Sequence, residues 1–276
     1  MTEYFQGTGE LHKVSAPFVF RPMAPFLASF LPFSAFTSLN IFNAFVLLLC
    51  SPLSFLIARK YGYSFGTATI GVLLHYVSFP VFFYATSGFV DPVVILMIYA
   101  FIWARAYRRN WLILVLYLVS AWAKETTIMI SAFLLVDIYF SDDERKYREY
   151  AIVIIGSILF VLEIFLIRSI YTNPGVQMGW VPDSSALVSN LTRAKTYLTF
   201  ALSFGLSGIL SLLLLFKEGI LKINKVYISY YIGILSSILL FAYAIMSAYA
   251  DGRFVWPAIP FAVVLSMRLI ETKSEV

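Results

Sequence analysis

The sequence predicts an all-α, polytopic transmembrane helical bundle of about nine membrane segments. Three observations carry this. Hydrophobic residues make up 61% of the chain and charged residues 13%, against about 25% charge in a soluble domain. Mean hydropathy is +0.85. The apolar residues fall into runs of helix length, punctuated by short polar, glycine- or proline-bearing turns. In such a chain the net charge of +5 concerns topology and points away from nucleic acid. The expected partner is a lipid bilayer. The single cysteine, Cys50, cannot form an internal disulfide, and no Cys/His spacing suits a metal.

Residues 1–15 read as a polar leader without the apolar core of a cleavable signal peptide. Residues 16–33 are apolar but carry Pro17, Pro22, Pro25 and Pro32, which rule out an unbroken spanning helix. A surface or re-entrant helix from about Pro22 fits better. Residues 1–35 are therefore an outer leader with an interfacial segment, 36–270 the transmembrane domain, and 271–276 a cytoplasmic tail. The predicted segments are 36–57, 65–86, 90–104, 111–123, 126–140, 150–171, 196–216, 226–248 and 254–269. A long outer loop covers 172–195 and contains Asn190-Leu191-Thr192, a glycosylation acceptor pattern. His75, mid-segment, reads as a hydrogen-bonded packing residue. Glu163 and Arg168 read as a structural pair.

Topology turns on Lys124 and Glu125. They interrupt an apolar stretch from Trp111 to Phe140. As one helix it would be about 45 Å long against a hydrocarbon core of roughly 30 Å. It would also hold charges near the midplane, at ~2.5 kcal/mol or more each. A turn at Lys124-Glu125 between two short helices avoids this cost. It leaves thirteen Lys and Arg inside against seven outside or near it. The unbroken helix gives nine against ten, with Lys124 in mid-membrane. The broken helix places the N-terminus outside and the C-terminus inside.

In that topology the unusual polar residues gather on the outer side. They are Glu3, Glu10, His12 and Arg21 in the leader, Asp91 in the second outer turn, Lys124 and Glu125, Trp180, Asp183, Arg193 and Lys195 in the long loop, and Asp251 and Arg253. Asp91 before Pro92 also suits a helix N-cap, and Asp251-Gly252 suits a turn. Separate acids and bases around one outer cavity suit a phosphate-linked lipid. Its phosphate needs fixed cations, for which Arg21, Lys124 and Arg253 are the candidates. Transfer from such a donor needs a carboxylate to accept a hydroxyl proton. A divalent metal could share the phosphate role.

Three stretches resemble the GT-C class of membrane glycosyltransferases. They are Pro17-Phe18-Val19-Phe20-Arg21-Pro22-Met23-Ala24-Pro25, Ala123-Lys124-Glu125-Thr126, and Gly252-Arg253-Phe254-Val255-Trp256-Pro257 with Ile259-Pro260. The resemblance implies a polyprenyl-phosphate-linked sugar as donor and an active face outside or in a lumen. It also implies a first transmembrane helix and an outer acidic motif, which this sequence lacks ahead of Arg21; Glu10 stands nearest to that acid. Glu10 and Asp91 are thus the catalytic candidates, and Glu10 the candidate metal ligand. Glu125, His12, Asp251 and Trp180 would support the site. Two other functions fit the composition. A transporter or flippase of a lipid-linked or anionic substrate would use broken helices but also internal repeats, and none is visible. A catalytically inactive scaffold would need no acidic motif.

Overall fold

A computed structural model describes residues 1–10, 14, 20–141, 146–171, 181–219, 224–247 and 249–274, with residues 272–274 as backbone only. Among them the chain is helical throughout, with no strand. Two short helices, α1 (Thr2–Phe5) and α2 (Met23–Ala28), precede α3 (Ala35–Lys60), whose start is capped by the Ser34 hydroxyl. The predicted segment 65–86 divides into α4 (Phe65–Tyr76) and α5 (Phe79–Phe83). Pro80 in the first turn of α5 has no N–H to offer the Tyr76 carbonyl and cannot continue a helix from α4; the His75 carbonyl accepts from both the N–H (3.3 Å) and the hydroxyl (2.7 Å) of Ser78. His75 itself is buried, with Nδ1 3.4 Å from the Tyr99 hydroxyl, in keeping with a packing role.

Next come α6 (Asp91–Ala106), α7 (Asn110–Ala123), a 3-10 turn over Glu125–Met129 and α8 (Ile130–Phe140). The long stretch is therefore broken. Lys124 is fully extended (φ −171°, ψ 136°), which ends α7. The pair also reverses direction. Lys124 bonds Asp91 at the start of α6, and Asp137 in α8 bonds Arg105 near its end. Those two positions on α6 lie about 21 Å apart along its axis. The chain thus runs up along α7 and returns along α8.

The remaining helices are α9 (Lys146–Ile170), α10 (Ser184–Thr192), α11 (Ala194–Glu218), α12 (Lys225–Ser247) and α13 (Ile259–Ser274). Within α11, Gly205 adopts φ 54°, a conformation open to glycine, and kinks the helix. The outer loop predicted over 172–195 contains α10, begun by Asp183, whose carboxylate accepts from the Ala186 N–H. Ser185 donates to the same carboxylate and holds it below its usual range.

Five helical stretches are long and apolar enough to cross a membrane: Ala35–Lys60, Lys146–Ile170, Ala194–Glu218, Lys225–Ser247 and Gly252–Glu271. This is consistent with a multi-pass membrane protein. In Gly252–Glu271, 83% of the most apolar window is buried, against 22% in Lys146–Ile170. So α13 is the axis of the bundle, and α9 lies at its edge with Ile154, Ile158, Leu162 and Phe165 exposed.

Both ends of the bundle are polar. At one, Arg105 donates to Asp137 (2.6 Å) and Glu149 (2.8 Å), while Ser229 donates to Asp137 (3.1 Å) and the Tyr230 hydroxyl to Tyr61 (2.7 Å). This ties α6, α8, α9 and α12 together. The other end holds the candidate site.

Candidate functional site

Six of the charged residues singled out from the sequence meet at the end marked by Lys124. They come from four distant segments and form three ion pairs. Arg21 precedes Pro22, the residue that caps α2. Its guanidinium forks onto Glu125, with Nε 3.0 Å from Oε2 and Nη2 on Oε1. Lys124 Nζ reaches Asp91 Oδ1 at 2.5 Å. Arg253 Nε lies 3.5 Å from Asp251 Oδ1. Glu125 is the most open of the six, its side chain 32% exposed, whereas Lys124 and Asp91 are closed off from solvent.

Each position has a local cause. Asp91 does not cap α6. The cap is Val90, Asp91 is the first helical residue, and its carboxylate turns to Lys124 rather than to the backbone. The turn before it is held by two asparagines of α3 that sequence reasoning did not single out. Asn43 donates to the carbonyls of Phe89 (2.8 Å) and Ala85 (3.3 Å), and Asn40 accepts from the Gly88 N–H at 3.2 Å. Asparagines inside an otherwise apolar segment were the available signal. Asp251 does serve its turn, accepting the Arg253 N–H at 3.0 Å. The Gly252 N–H donates to Thr199 Oγ1 on α11 at 3.0 Å. A Cβ at 252 would run into the Thr199 carbonyl, so this close approach requires glycine.

Aromatic faces line the cations. The Arg253 guanidinium lies 4.5 Å from the Phe89 ring centroid and 5.2 Å from that of Phe254, and Lys124 Nζ lies 5.9 Å from Phe254. Burial pushes the Asp251 carboxyl above its ordinary value, and the Arg253 guanidinium only partly reverses this. Arg253 Nε is buried and makes no hydrogen bond among the described residues, since 3.5 Å to Asp251 is an ion-pair distance. It is a donor aimed into the site.

Chemically, the cluster is balanced: three cations face three carboxylates. It is not a standing anion hole. It can accept an anion where a carboxylate gives up its cation, and that carboxylate then becomes a free proton acceptor. A divalent metal does not fit this donor set, because each carboxylate is already held by a cation and no group of three His, Cys, Asp or Glu gathers among the described residues.

The other expected residues lie elsewhere. Glu10 lines a separate surface cavity of about 450 Å³ with Met1, Glu3, Tyr4, Thr8 and Val14, and none of the six charged residues contributes to its wall. His12 and Trp180 lie outside the described residues. Two readings are corrected. Glu163 does not pair with Arg168; it accepts from Trp122 Nε1 at 3.0 Å, and Arg168 lies over the Phe20 ring. Five residues is the wrong spacing for neighbours on a helix. Asn190 is a packing residue, not an open glycosylation acceptor. It is 2% exposed, donates to the Ile245 carbonyl and accepts from the Ala250 N–H, tying α10 to the end of α12.

Compared with known proteins, the chain matches no family model, no curated protein and no solved structure.

Proposed function

We propose that the chain is a GT-C-like membrane glycosyltransferase. It moves a sugar from a polyprenyl-phosphate donor to a lipid, glycan or protein hydroxyl on the outer or lumenal membrane face. The observation that supports this is the meeting of Arg21, Lys124 and Arg253, each with a carboxylate beside it, at one end of an apolar bundle. These are the residues of the three stretches that resemble GT-C proteins.

The ion pairs suggest how the site works. The donor is a phosphodiester with a single negative charge. It engages Lys124 and the free Nε of Arg253, drawing Lys124 from Asp91. Asp91, no longer paired, takes the proton of the acceptor hydroxyl. The hydroxyl oxygen bonds to the anomeric carbon as the bond from that carbon to the phosphate oxygen breaks. Polyprenyl phosphate leaves with one more negative charge, held by the cations. The charge gained by the phosphate equals the charge lost at Asp91, so the buried site keeps its balance.

The test is turnover of radiolabelled polyprenyl-phosphate sugars in membranes carrying the full chain. Lys124→Ala and Arg253→Ala are expected to lower transfer by about a hundredfold or more. Full activity in both variants, or no transfer by the wild type with any donor, overturns the reading.

A further inference from the structure

Arg168 stands apart from the six paired charges. It lies in the last turn of α9 and is exposed; its neighbours Phe165 and Leu166 are 63% and 51% exposed and face the surroundings of the bundle. Its guanidinium carbon sits 5.6 Å from the centroid of Phe20. Among the described residues it has no carboxylate partner, because Glu163 on the same helix is turned to Trp122. The three cations of the cluster, Arg21, Lys124 and Arg253, each face an acid instead.

Arg168 closes a narrow cleft. Phe20 and the apolar side chains of Ile164 and Ile167 form its walls, and Glu125 lies at its inner side. The enclosed space is about 10 Å³, so a ligand rests at the mouth rather than inside. The cleft opens beside the most exposed apolar helix of the bundle. Its inner wall, Glu125, is also the partner of Arg21 in the charged cluster.

We propose that this cleft docks the phosphate headgroup of a membrane lipid arriving sideways from the bilayer. Arg168 supplies a forked contact to the phosphate, and the half-buried Phe20 and Ile164 receive the first carbons of the chain. An unpaired guanidinium flanked by lipid-facing side chains meets its anions at the headgroup level, which favours a lipid phosphate over a soluble one. A lipid held there is one ion pair, Arg21–Glu125, from Lys124. The choice of a prenyl lipid rests on the proposed function; the docking geometry does not.

Farnesyl phosphate is the probe, added to the purified full chain in detergent, with farnesol and inorganic phosphate as controls. Native mass spectrometry reads the bound fraction. Arg168→Ala is expected to weaken farnesyl phosphate binding about tenfold, with Arg168→Lys between it and the wild type, and farnesol binding the same in all three. Inorganic phosphate at millimolar concentration is expected not to compete. Equal affinity in the wild type and Arg168→Ala overturns the inference, as does no binding by the wild type or competition by inorganic phosphate. Binding that depends on Arg168 in a chain that transfers no sugar overturns the proposed function and leaves this site standing.

Discussion

Lys124 Nζ lies 2.5 Å from Asp91 Oδ1, with the two side chains only 5% and 6% exposed. The contact joins the end of α7 to the first residue of α6 and fixes where the broken helix turns. Removing one partner of a buried pair strands the other charge and costs about 3–5 kcal/mol, whereas replacing both with apolar groups is far less harmful. Lys124→Met alone is therefore expected to lower thermal stability in detergent more than Lys124→Met combined with Asp91→Leu. Losses that simply add would show that the pair is not coupled.

The turn at Lys124 makes a topological prediction. Reporter fusions after Ser87 and after Thr126 are expected on one side of the membrane, and a fusion after Ser141 on the other. The α7–α8 hairpin returns Asp137 to the end that holds Arg105. A Ser141 fusion on the same side as Thr126 would mean that the hairpin does not form in the bilayer.

Gly252 seats the turn that carries Asp251 and Arg253. A Cβ there meets the Thr199 carbonyl, a backbone atom that cannot swing aside. Gly252→Ala is expected to cost about 1–3 kcal/mol by displacing the turn from α11. Sugar transfer should fall even at temperatures where the variant stays folded. Wild-type transfer in a folded Gly252→Ala would detach Arg253 from the chemistry.

The raised Asp251 carboxyl gives a pH dependence of definite sign. In the unfolded chain it loses its proton around the ordinary value of 3.8, and in the folded chain at higher pH. The folded state thus holds more protons across that window. Its contribution to stability is complete below 3.8 and is lost as pH rises through the folded value. Asp251→Asn removes this titration and keeps an oxygen to accept the Arg253 N–H. Its thermal midpoint relative to wild type is expected to rise as pH increases above 3.8 and to level off once the folded carboxyl has lost its proton. A constant difference across that range would place the titration elsewhere.

Much of this arrangement was legible in the sequence. Charge bias and desolvation cost located the break at Lys124-Glu125, where α7 ends and a 3-10 turn begins. What the sequence hid was pairing. Arg21, Lys124 and Arg253 read as cations awaiting an anion, but each holds a carboxylate, because a buried charge needs a partner even at rest. Arg105 counted only as a topological charge, although it joins Asp137 and Glu149 across three helices. The kink at Gly205 left little trace, since an isolated glycine in an apolar helix is common. Arg168 was assigned to the nearest acid on its own helix, a local rule that Trp122 overrode from α7.

The central place of α13 bears on how the protein is made. A ribosome releases this helix after every other one described, yet it is the helix the rest surround. Helices inserted earlier must wait in the bilayer around an unfilled axis, with Lys124 already beside Asp91 but without the Arg253 turn. The bundle is then filled at its middle after its surroundings, and the helix that fills it arrives with the Asp251–Arg253 pair.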